Sequence, residues 1–276
     1  MSVNQKMSKP QWIGLCLVIS ILFVDILLYS LLIPLIPYFT ENLQPSSSAL
    51  GILFGSYAVA LFAATPFFGR TADRVGRKVP IVFGLLGLAV STCLFAFAKT
   101  MLTLIVARIV QGIAAAASWT AALALLADLF SGKSRGAAMG IALTGISTGS
   151  LLGAPIGGWL FEMGGYELPF FFSTGLIVLN FVLVLLLLKE PTRSKCEANQ
   201  GVLPFLRNRS VLFIACIILL AETTLTLLEP LLPMHLTQRL AITPVGLGLL
   251  FGVMTLAYGV IAPVCSRVGT IRMPSC

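Results

Sequence analysis

The fold class this sequence predicts is an all-α, polytopic bundle of transmembrane helices, and three observations predict it. Of 276 residues, 58% are hydrophobic and only 10% are charged. A soluble globular domain carries about 25% charged residues, so this chain could not cover a water-facing surface. Eight apolar runs each approach or exceed the length of about 20 residues that spans a hydrocarbon layer. The charges fall in the short segments between those runs, which also removes the nucleic-acid reading that a net charge of +8 would otherwise invite.

The first run, 12–37, opens on Trp12, a residue suited to the membrane interface. It is too long for a signal peptide's apolar segment and has no small-residue cleavage site. Asp25 lies near its middle, with Tyr29 four residues on and so on the same helix face. The second run, 50–68, leads into a charged segment from Gly69 to Lys78. There Gly69 and Gly76 permit tight turns, and Asp73 can accept from a helix N-terminus or pair with Arg77. The third run covers 79–98. The fourth, 101–127, holds Arg108 about two turns in, then Ala114 to Ala117, Ala121, Ala122 and Ala124. The fifth, 136–161, carries Gly140, Gly145, Gly149, Gly153, Gly157 and Gly158. Small residues of this kind let helices approach closely in lipid. After the sixth run, 168–188, comes the longest polar stretch, and the predicted division is 1–188, a central loop 189–209, and 210–276. The seventh run, 210–232, carries Glu222 and, ahead of Pro230, Glu229; the eighth covers 244–266.

Lysine and arginine set the expected orientation. With the N-terminus inside, fifteen of the 18 fall in inside segments, Lys99 and Arg239 fall outside, and Arg108 is left within a span. The six cysteines include no close pair and read as packing residues, with neither a disulfide framework nor a zinc site. His235 is a lone loop histidine. Asn208-Arg209-Ser210 matches a glycosylation sequon but falls on the inside. The sequence shows no Walker loop, no metal-ligand cluster and no carboxylate pair at a soluble cleft, so neither an ATP-driven pump nor a membrane hydrolase is expected, and no cofactor.

An ionisable group near the membrane centre costs at least about 2.5–3.5 kcal/mol, so each asks for a reason. Asp25 can pair with a cationic substrate or carry a proton; the plainer reading is a structural ion pair or a protonated, hydrogen-bonded acid. Glu222 and Glu229, seven residues apart, share a helix face at different depths, and Glu229 is equally readable as an interfacial acid. Arg108 is expected to pair with an intramembrane carboxylate, with Asp25 as the candidate.

The segment Gly69-Arg70-Thr71-Ala72-Asp73-Arg74-Val75-Gly76-Arg77-Lys78 closely resembles the loop signature of the major facilitator superfamily, with Thr71 where leucine is usual. Leu104, Arg108, Gln111 and Gly112 are similar to that family's fourth-helix motif. Gly149 through Gly153-Ala154-Pro155-Ile156-Gly157-Gly158 resembles the fifth-helix motif associated with proton antiporters, with Ala154 replacing the usual first proline. The run Asp25 to Pro37 and the segment Leu228-Glu229-Pro230-Leu231-Leu232-Pro233 resemble the drug:proton antiporters and vesicular amine transporters.

The resemblance implies twelve spans in two six-helix halves, of which this chain would hold the first half and two helices of the second, as if truncated at its C-terminus. Ser266-Arg267-Val268-Gly269 looks like the start of a repeat of the 69–78 loop. Proton-coupled export of organic cations or drugs by alternating access is implied, with Asp25 and Glu229 around the cation. A transport-incompetent fragment and a facilitator of sugars or metabolites are the alternatives. The implied partners are a cationic, lipophilic small molecule, protons and the lipid bilayer, without nucleic acid. The short loop at 39–49 favours a bacterial cytoplasmic (plasma) membrane protein with its N-terminus in the cytoplasm.

Overall fold

The computed structural model describes residues 7–188, 190, 209–240 and 242–270. Among the described residues every regular element is helical. The helices are α1 (Lys9–Leu31), α2 (Ile36–Leu43), α3 (Ser47–Val75), α4 (Lys78–Ala96), α5 (Met101–Leu129), α6 (Lys133–Gly164), α7 (Leu168–Leu187), α8 (Arg209–Leu240) and α9 (Pro244–Thr270). Each of the eight apolar runs therefore forms helix. Among the described residues six spans, from Lys9–Phe39 through Leu168–Leu187, are long and apolar enough to cross a membrane.

Two details differ from the sequence reading. The first run is not one continuous helix. Pro34 lacks an N–H and its ring would meet the carbonyl four residues back, so the chain narrows to a 3-10 turn over Ile33–Leu35 before α2 resumes. The second difference concerns Gly69. It forms no turn, because α3 runs on through the charged segment to Val75 and stops only at Gly76, whose φ of 110° is left-handed. Two helix starts carry ordinary side-chain caps: the Ser46 hydroxyl accepts from the Ala49 N–H at 3.2 Å and the Thr100 hydroxyl from the Thr103 N–H at 3.2 Å. At the start of α1 the Gln11 side-chain amide donates to the carbonyl of Leu129 at 2.9 Å, tying that end to the last residue of α5.

α1 packs on α6, and α5 packs between α3 and α4. A further layer joins α7 to α4 and α9 to α6. The seams are built from bare backbone. On α6, Gly145, Gly149, Gly153 and Gly157 recur every four residues, and a Cβ on them would stand 2.6 to 2.8 Å from the carbonyl oxygens of Ile19, Phe23, Leu27 and Leu31 of α1. On the other side of α6, Gly158 lies against Pro244 of α9, while Gly248 of α9 lies against Ala154 and Pro155. The small residues of the fifth run thus serve two neighbours at once. Gly84 and Gly112 do the same for α4 on α5 and α5 on α3.

A methyl group added at Gly149 would sit 2.6 Å from the Phe23 carbonyl oxygen, whereas one at Gly140 meets nothing within 4 Å. Gly140→Ala is expected to be neutral or to stabilise by up to about 1 kcal/mol through helix propensity. Gly149→Ala must separate two backbones, and should fall about 1–3 kcal/mol below it. Thermal unfolding of the two variants in detergent checks the difference.

Candidate functional site

Buried charge is concentrated between α1, α3, α4 and α5. Asp25 of α1 is 1% exposed and Arg108 of α5 is fully buried. The expected Asp25–Arg108 contact is not formed. Asp25 Oδ2 instead accepts from the indole Nε1–H of Trp119, on α5. Its other oxygen, Oδ1, has no partner among the described residues. Trp119 lies eleven residues beyond Arg108, three helical turns on and on the same face of α5, so the two groups meet α1 at different depths.

Arg108 has different company. Its Nη1 donates to Gln111 Oε1 at 3.1 Å, one turn along α5. Its Cζ lies 4.9 Å from the ring centroid of Tyr29, 5.1 Å from Phe54, and 5.8 Å from both Tyr57 and Phe95. Four aromatic faces from α1, α3 and α4 thus surround one guanidinium. Each such contact is worth about 0.5–2 kcal/mol, most when water is excluded. The spacing that puts Tyr29 on the Asp25 face of α1 therefore delivers Tyr29 to Arg108, with the Tyr57 ring 5.2 Å away. Glu222 and Glu229 lie on α8, and their side chains are outside the described residues.

A second cluster sits where α3 turns into α4. Arg77 Nε donates to Asp128 Oδ2 at 2.8 Å and Nη1 to Asp73 Oδ1 at 2.7 Å, so one guanidinium joins α3 to the last turn of α5. Burial pulls the Arg77 pKa down, but the hydrogen bonds and charges of Asp128 and Asp73 outweigh it and the net direction is up. The backbone N–H groups of Arg77 and Lys78, at the start of α4, donate to the carboxylate of Glu190, just past α7. Lys78 Nζ reaches the Leu185 carbonyl at 2.9 Å. A side chain at Gly76 would strike the Glu190 carboxylate, so this glycine answers both to its φ and to a close approach. Arg74 occupies the last turn of α3. Gly69 is helical, and a Cβ there would meet open space.

The opposite end of the bundle is aromatic. Tyr166 stacks on Tyr38 at 5.0 Å, and its hydroxyl donates to the Phe95 carbonyl at 2.6 Å. Burial pushes this phenol well above its ordinary pKa.

Trp119, Asp128 and Glu190 carry much of both clusters and were not singled out from the sequence. The three-turn spacing from Arg108 marks Trp119, and an acid at the very end of an apolar run marks Asp128. Glu190 sits in a polar stretch with no periodicity to mark it. Among the described residues no group of three or more His, Cys, Asp or Glu could hold a metal ion.

Fold and clusters together define a multi-pass membrane protein that carries buried charges between its helices. The family model of the Major Facilitator Superfamily matches residues 18–274, and the chain belongs to that family. It is 35% identical over 248 residues to the chromaffin granule amine transporter of Rattus norvegicus, covering 84% of this chain and 47% of that one. It is 37% identical over 190 residues to multidrug resistance protein 1 of Bacillus subtilis (strain 168), covering 69% of this chain and 48% of that one. The chain therefore spans about half the length of these relatives. A crystal structure of a bacterial homologue of the human lysosomal transporter Spinster, inward-facing and unoccupied, superposes with a TM-score of 0.76 at 18% identity. It covers 97% of this chain and 65% of that one, a likeness of fold.

Asp128 is 20% exposed on its side chain and Asp73 is 67% exposed. Asp73→Ala should change stability by no more than about 1 kcal/mol, as exposed ion pairs do. Asp128→Ala removes a charge-assisted bond from a sheltered guanidinium and is expected to cost about 1.5–3 kcal/mol. Thermal unfolding in detergent ranks the two.

Proposed function

We propose that the chain is the part of a proton-coupled secondary transporter that binds organic cations, working by alternating access in a cell membrane with its N-terminus in the cytoplasm. The observation that carries this reading is Asp25: a carboxylate 1% exposed, held by one neutral donor, with its second oxygen without a partner among the described residues. An acid in that state costs several kcal/mol to keep in a membrane interior, and a proton or a cation at its open oxygen removes the cost. One site that takes either but not both makes exchange obligatory. Inward protons then drive cations outward, the two halves rocking about the site. A facilitator for neutral sugars has no use for such a group.

The names of the relatives support the substrate class, since one is an amine transporter and another a multidrug resistance protein. The assignment of Glu229, with Glu222, to the same cation pathway rests on the resemblance of the 228–233 segment. Pro155 and Gly158, which face α9, would line the surface on which the halves move, while Gly149, Gly153 and Gly157 would hold α6 to α1 within the first half. The cluster of Asp73, Arg74, Gly76 and Arg77, with Asp128 and Glu190, would hold one end shut.

Asp25→Asn keeps shape and hydrogen bonding but removes the exchangeable charge. Proton-gradient-driven efflux of a lipophilic cation such as tetraphenylphosphonium from cells or proteoliposomes should fall at least about tenfold, the effect of losing about 1.4 kcal/mol or more. Undiminished efflux by this variant would remove Asp25 from the mechanism.

A further inference from the structure

We infer that Trp119 is a positioning residue for Asp25: its indole N–H occupies Oδ2, supports the carboxylate in its charged form, and leaves Oδ1 as the single oxygen open to a proton or cation. The inference rests on the exchange role given to Asp25 above, and it names a residue on a second helix that controls it. Three observations meet here. Trp119 Nε1 donates to Asp25 Oδ2 across the α1–α5 interface. Asp25 is 1% exposed, and Oδ1 accepts nothing among the described residues. The indole has one donor and no acceptor, so it supports the ionised acid without neutralising it and cannot itself take the proton.

The surroundings leave few other groups to titrate with it. α6 presents Gly145, Gly149, Gly153 and Gly157 to α1, none titratable. α7 has no titratable residue along its length. α5 contributes Arg108, held by Gln111 and the aromatic faces, and Asp128, held by Arg77 at the far end. α1 and α3 contribute Tyr29 and Tyr57, whose tilted rings lie beside Arg108. Glu222 and Glu229 of α8 have side chains outside the described residues.

A donor bond to a charged acceptor is a selective support: it weakens when the acid protonates at Oδ1 and Oδ2 becomes a neutral carbonyl oxygen. Replacing the indole by a ring without N–H should therefore move the proton step to higher pH, by about one pH unit for a bond of ordinary strength to a charged group.

The chain has three tryptophans, so Trp12→Phe with Trp159→Phe leaves Trp119 as the sole indole reporter. In detergent its emission should change in one protonation step. The step should vanish in Asp25→Asn, and added tetraphenylphosphonium should move it to lower pH by competing with the proton. In the parent chain, Trp119→Phe should shift the pH midpoint of tetraphenylphosphonium efflux upward by about one unit while Trp159→Phe leaves it in place. If Asp25→Asn does not fold, difference infrared spectroscopy of the carboxyl stretch in the parent and in Trp119→Phe decides the same point. A Trp119 emission that is flat with pH, or a step that survives Asp25→Asn, overturns the inference. So does a carboxyl band unmoved by Trp119→Phe. A normal step that tetraphenylphosphonium does not move leaves Trp119 coupled to Asp25 and overturns the cation-exchange reading instead.

Discussion

Four carbonyl oxygens of α1, from Ile19, Phe23, Leu27 and Leu31, lie where side chains of α6 would otherwise stand. That backbone approach is the constraint on which the bundle depends. In lipid there is no hydrophobic drive for helices to associate, so van der Waals contact along glycine seams must supply it. With α1 fixed against α6, Asp25 and Tyr29 are carried to the opposite side, toward α5 and α3. The chemistry of the site follows from a stripe of residues that have no chemistry of their own.

The charged groups are then handled in three ways. Arg108 is permanently charged and is wrapped in polarisable ring faces with one amide partner. Arg77, at the bundle end, divides its fork between two acids on different helices. Asp25 is left with a single neutral donor. The first two guanidinium groups are each held by residues of several helices and suit fixed parts. The third is under-supplied, which suits a group that must accept and release.

Much of the fold was legible because apolar runs of membrane length leave little choice. The eight runs all became helices, and the small-residue pattern of the fifth marked a real seam. Helix ends were read less well. The segment from Gly69 to Val75 is polar enough to look like a loop, yet polarity alone does not end a helix; the backbone of Gly76 does. Pro34 was visible as a proline but sat inside a run read for hydropathy. The site was half legible. Rare ionisable residues announced Asp25 and Arg108, and periodicity put Tyr29 beside Asp25. Which partners they took depended on the depth at which α5 crosses α1, and that is decided by packing across sequence separations of about a hundred residues. The three-turn interval on α5 placed Trp119, not Arg108, at the carboxylate.

The glycines on α6 point both ways, toward α1 along one edge and toward α9 along another. A helix stripped on two sides is a thin rod, with no side-chain cushion to absorb displacement between its neighbours. Protein interiors are close-packed and transmit strain rather than damping it. A shift of α9 along its edge is therefore felt by α1 through a single layer of backbone, like play removed from a gear train. The acid on α1 and the helix α9 are thereby mechanically linked through α6.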